Sequence, residues 1–149
     1  MTLKQKIYNC CKLKTDERIN ELQQILADLK ESGTNETKST AGDKHETALA
    51  MLQIEQANTR AQLEDVLQKK AALEKINPAL SVKQIVNGCL VKTDRGYLFV
   101  SVALGKITVG GIDVIVLSPQ SPLGAKLMGL GVGDEAEVMS SRYIIEKIE

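Results

Sequence analysis

The chain has 149 residues, enough for one sizeable domain or two small ones. Its 19 basic and 19 acidic side chains cancel, which argues against free-standing binding to nucleic acid or to an acidic membrane surface. Aromatic residues are 3 % of the chain and tryptophan is absent, too few for a stacking platform on single-stranded nucleic acid.

Met1-Thr2-Leu3-Lys4-Gln5-Lys6 lacks the apolar stretch of a secretory signal, and no apolar run approaches membrane-spanning length. Cys10, Cys11 and Cys89 make no even disulfide framework, and with His45 as the single histidine there is no metal-ligand spacing. A reduced, cytoplasmic setting with no membrane partner is expected.

The first half is helical by period. Ile19, Leu22, Leu26 and Leu29 recur three and four apart, the spacing of a seam facing a partner helix. Ile7, Cys11 and Leu3 extend that face upstream, with Lys4, Lys6, Lys12 and Lys14 placed on the solvent side. Those lysines could contact a nucleic acid or protein partner, but a solvated helix face explains them as well. Glu31 to Gly42 is polar and turn-rich and reads as a loop. A second helix is expected from Asp43 to Lys75, with Ala50, Ile54, Ala57 and Ala61, then Leu63, Val66, Leu67 and Leu73, as its apolar positions. The pair forms an antiparallel helical hairpin, a coiled coil, over residues 1–77, each arm about 40–50 Å long at about 1.5 Å per residue. Its tip, residues 42–47, is Gly42-Asp43-Lys44-His45-Glu46-Thr47. Asp43 and Glu46 suit the N-cap and N3 positions of a helix start, where carboxylates meet orphan N–H groups and the positive end of the dipole. His45 reads as a solvated side chain or as a third ligand or pH-sensitive group beside them.

Proline first appears at Pro78, and glycine and β-branched residues become frequent from Gly88 onward. Residues 78–149 therefore read as a second domain. Strands are expected over Gly88–Thr93 and Tyr97–Val102 around Asp94-Arg95-Gly96, and over Ile107–Val109 and Ile112–Leu117 around Gly110-Gly111. Ser121 as N-cap and Pro122 as first helical residue start a short helix with Leu123, Leu127 and Met128 on one face. Gly131-Val132-Gly133-Asp134 is a turn, followed by strands over Glu135–Met139 and Tyr143–Ile148, the last with Ile148 out of step. The whole is α+β: a helical hairpin followed by an antiparallel sheet with one short helix.

The tip Gly-Asp-x-x-Glu, followed by Ser121-Pro122-Leu123-Gly124-Ala125-Lys126-Leu127-Met128-Gly129 and Val132-Gly133-Asp134-Glu135-Ala136-Glu137-Val138, resembles the bacterial Gre transcript-cleavage factors over nearly the whole chain. The resemblance implies an FKBP-like C-terminal domain docked on RNA polymerase, with the coiled coil inserted in the secondary channel. Asp43 and Glu46 would then lend carboxylate oxygens to a Mg²⁺ shared at the polymerase active centre, and would touch the nascent RNA 3′ end only indirectly. On that reading the chain is not itself an enzyme, binds no cofactor tightly alone and acts as a monomer. After the tip the family continues with Asn-Ala-Glu-Tyr and a nearby Arg; this chain has Thr47-Ala48-Leu49-Ala50, and its next arginine is Arg60. The alternative is a divergent homologue that occupies the channel without promoting cleavage. A prolyl isomerase on the same C-terminal fold would need aromatic walls, for which Tyr97, Phe99 and Tyr143 are few, and no triad, Walker or dinucleotide signature marks an unrelated enzyme.

Overall fold

A computed structural model describes the backbone of residues 1–38 and 43–149 and the side chains of residues 1–33 and 46–149. Two long helices, α1 (Leu3–Lys38) and α2 (Asp43–Glu74), precede six strands and a short helix: β1 (Leu90–Thr93), β2 (Gly96–Val100), β3 (Gly105–Val109), β4 (Ile112–Leu117), α3 (Pro122–Leu127), β5 (Glu135–Val138) and β6 (Ser141–Ile148). This is the expected class, a helical hairpin followed by a sheet with one short helix. The chain forms two compact units, Lys14–Lys70 and Met1–Leu13 with Ala71–Glu149. Among the described residues no helix is long and apolar enough to cross a membrane.

In the unit Lys14–Lys70, Ile19 and Leu22 of α1 pack against Leu63 and Val66 of α2. Arg18 Nη2 donates to Gln62 Oε1 at 3.0 Å, and Lys70 Nζ pairs with Asp16 Oδ1 at 3.0 Å. The inner face of α2 is the expected one at Leu63, Val66 and Leu73, and differs over the first half of the helix and at Leu67. Leu49, Leu52, Gln56, Thr59, Leu63 and Val66, alternating three and four apart, are withdrawn from solvent, whereas Ala50, Ala57 and Ala61 are exposed and Ile54 is 61 % exposed. Two apolar stripes run along the first half of this helix, and hydrophobicity alone picks the alanine-rich one there. The stripe that stays in step with the leucines of α1 accepts Gln56 and Thr59, because a polar side chain can satisfy itself locally: Thr59 Oγ1 donates to Glu55 O at 2.8 Å. Leu22→Ala is expected to cost about 3 kcal/mol and Ile54→Ser less than about 0.5 kcal/mol, read from thermal melts of the helical signal.

The α1 boundary also differs. The helix continues through Glu31–Lys38, expected as loop. That stretch contains no proline, and one glycine in a helix already nucleated costs only about 1 kcal/mol.

In the other unit the sheet order is β3-β4-β2-β1-β6-β5. The sheet is mixed rather than antiparallel: β2 and β4 run parallel, Tyr97 opposite Val114 and Val100 opposite Leu117. Residues Ser101–Leu104 carry the chain past one strand position, β3 returns at the edge, and β4 fills the space between. Alternation along a strand tells which residues face the core, not which strand lies beside it. The Gly110-Gly111 turn joins β3 and β4 with both glycines at positive φ, 58° and 80°, as a two-residue hairpin requires.

Both faces of the sheet are covered. On one, Ile7, Tyr8, Cys11, Leu73 and Ile76 from the helix bases pack against Leu90, Phe99, Ile107, Val114 and Val116. Tyr8 Oη, buried there, donates to Leu73 O at 2.8 Å. On the other, Ile85, Cys89 and Leu127 pack against Val91, Leu98, Val100, Ala136 and Ile145. The odd phase of Ile148 has a cause: pairing shifts between Lys92 and Thr93, which face Lys147 and Ile145, so Glu146 is extra and Ile148 returns to the face of Ile145.

Lys4 is a further correction. Expected on the solvent side, it is 4 % exposed, and its Nζ donates to Leu80 O at 2.8 Å. Burial holds its pKa below the ordinary lysine value, against smaller upward pulls from Cys89 and Glu149. The unfolded chain therefore holds this proton more tightly. Stability gains as pH rises through the lowered pKa toward the ordinary value. The stability of the native protein relative to Lys4→Met is expected to increase as pH rises toward about 10.5, the ordinary lysine value, measured by denaturant titration.

Candidate functional site

The tip expected over residues 42–47 falls partly outside the described residues: the backbone of Gly42 and the side chains of Asp43, Lys44 and His45 are not described. The helical backbone of α2 begins at Asp43, as expected, so Asp43 and Glu46 occupy positions i and i+3 of its start. Glu46 and Thr47 are exposed. Ala50 is exposed too, and Met51 and Ile54 beside it are 59 % and 61 % exposed. No group of three His, Cys, Asp or Glu able to hold a metal ion occurs among the described residues. Two carboxylates supply part of the oxygen shell of a Mg²⁺, which keeps several waters or takes ligands from elsewhere.

The second motif segment is described in full, and the structure shows what its residues do. Ser121 caps α3: its Oγ accepts from Gly124 N at 3.0 Å and donates to Ser118 O at 2.7 Å. Pro122 occupies the first helical turn, where its missing N–H costs nothing. Gly124 and Leu127 are buried, and α3 packs on β5. Asp134 closes the following turn, its Oδ2 accepting from Gly131 N at 2.8 Å. Gly133, at φ 93°, donates its N–H to Ile145 O at 2.8 Å. These residues build the edge of the sheet rather than a reactive centre.

The three aromatics weighed for an isomerase pocket do not converge. Tyr97 and Phe99 belong to the cluster under the helix bases, and Tyr143 packs on the opposite face. Cys11 and Cys89 are buried and Cys10 is partly so.

The chain is similar to GreA factor homolog 1 (Gfh1) protein of Thermus thermophilus, known from its crystal structure, with 21 % identity over 95 % of this chain and 94 % of that one and a TM-score of 0.36. No protein-family model matches the chain, and no curated protein matches it. At that identity and TM-score, function has to be argued from the residues themselves.

Proposed function

We propose that this chain is a Gre-like transcription factor that binds RNA polymerase, enters its secondary channel with the helical hairpin, and stimulates cleavage of backtracked RNA. The observation that carries the reading is positional. An acidic pair, Asp43 and Glu46, stands at the start of α2, directly after the link between helices of 36 and 32 residues. The ordered sequence resemblance of the tip and of the Ser121 to Val138 segment supports it. The bland role of the pair as a helix cap is compatible with this, since a cap and a metal ligand use the same oxygens at different times.

The proposed chemistry divides between partners. The backtracked RNA would supply the scissile phosphodiester, and the polymerase a firmly held Mg²⁺ and most of the site. Asp43 and Glu46 would add oxygen ligands that retain a second Mg²⁺, which in such sites orients a water for in-line attack. The chain would not be an enzyme alone.

A second reading is favoured by one observation. Ala50 replaces the family's Tyr, and the exposed residues beside it, Met51 and Ile54, carry neither an aromatic ring nor a cation to hold a transcript. On that reading the chain occupies the channel and modulates or inhibits without cleavage. Adding the protein to a stalled, backtracked elongation complex separates the two: Mg²⁺-dependent shortening of the RNA from its 3′ end supports the first, binding without shortening the second. Absence of binding removes both.

A further inference from the structure

We propose a ligand site that does not depend on the polymerase reading: a cavity beside the start of α1 that takes a small aliphatic monocarboxylate, its carboxylate paired with Lys4. The cavity, about 430 Å³ and open to solvent, is bounded by Lys4, Pro78, Leu80, Lys147, Ile148 and Glu149.

Lys4 is the decisive part of the wall. Nearly all of its surface is withdrawn from water, and an ammonium there carries three N–H donors. One donor goes to Leu80 O. Among the described residues no carboxylate forms an ion pair with it, because the neighbouring Glu149 carboxylate instead holds Lys147 Nζ at 2.8 Å. Glu149 therefore attracts Lys4 only from beyond ion-pair distance, and the ammonium has no direct counter-ion in the cavity wall. A buried charge without a counter-ion is costly, and an incoming carboxylate supplies both the missing charge and acceptors for the remaining donors. Burial depresses the amine's pKa more than Cys89 and Glu149 raise it, in keeping with an ammonium that lacks a direct ion pair.

The rest of the wall sets the class of ligand. Pro78, Leu80 and Ile148 present apolar surface, which suits a short alkyl chain better than a fully hydrated inorganic anion. The volume lies in the range of ordinary small-molecule sites. An ammonium without a direct ion pair, beside these apolar side chains and the polar Thr2, Gln5 and Ser81, suits a monoanion with a short hydrocarbon tail.

Titrating the full chain with sodium hexanoate at constant ionic strength, while following the NMR resonances of the lysine ε-methylene groups, tests the site. The Lys4 resonance is expected to move saturably with a Kd on the order of 1 mM, its pKa to rise in the complex, and sodium phosphate to give no saturable change. Lys4→Met is expected to abolish the hexanoate response. A Lys4 resonance unmoved up to about 20 mM hexanoate, or moved equally by phosphate, overturns the proposal, as does hexanoate binding retained in a folded Lys4→Met protein. Should Lys4→Met fail to fold, the native protein decides: a bound carboxylate must raise the Lys4 pKa, and an unchanged value overturns the site.

Discussion

Asp43→Ala and Glu46→Ala are each expected to abolish Mg²⁺-dependent shortening of backtracked RNA while leaving the protein bound to polymerase. Ligating a catalytic metal contributes several kcal/mol to the transition state. Losing one of two protein ligands should therefore slow cleavage by about 10²-fold or more. Binding should persist, because in this proposal the two carboxylates contribute to a metal and not to the docking surface. A cap alone makes a different forecast. Removing an N-cap costs about 1 kcal/mol of helix stability, which would loosen the start of α2 without selectively ending the chemistry. Shortening that survives both substitutions at native rate would leave the pair as a cap and nothing more.

Gly124→Ala is expected to destabilise the sheet-bearing unit by about 3 kcal/mol. Gly124 lies buried in α3, on the inside of the turn that Ser118 and Ser121 close. A Cβ there would collide with the carbonyl oxygen of Ser118 and stand 2.8 Å from Ser121 Oγ and 3.0 Å from Pro119 Cα. Backbone and a short capping hydroxyl cannot swing aside as a long side chain would, so the helix must lift from β5 or the cap must break. Denaturant midpoints read from the near-ultraviolet signals of Tyr97 and Tyr143 should fall, while a melt of the Lys14–Lys70 seam should not. An unchanged tyrosine midpoint would mean that α3 contributes little to the fold.

These two sites differ in how they could be read. The Ser121-Pro122 start of α3, the Gly110-Gly111 hairpin and the start of α2 at Asp43 were legible because each depends on a few neighbouring residues: a side-chain cap, a fixed proline φ, glycines at positive φ. The α1 seam was legible for a similar reason, since Ile19 and Leu22 lie where a 3–4 spacing puts them. The α2 seam was legible at Leu63 and Val66 but not over the first half of the helix. Its two candidate stripes are separated only by which one meets the leucines of α1, and that is a property of the pair. Lys4 was misplaced for the same cause. A lysine on a helix is ordinarily solvated, and only the fold brings the Leu80 carbonyl to within 2.8 Å of its amine.

The sequence by itself determined the class of the fold, the existence and approximate limits of every element except the end of α1, and the acidic pair on which the proposed function rests. Those follow from local chemistry and from periodicity, which act within a few residues. The tertiary structure decided the parallel pairing of β2 with β4, the inner face of α2 over its first half, the bulge that turns Ile148 inward and the burial of Lys4. Each of these depends on what a segment meets across the fold, where burial and hydrogen-bond satisfaction outweigh intrinsic preference.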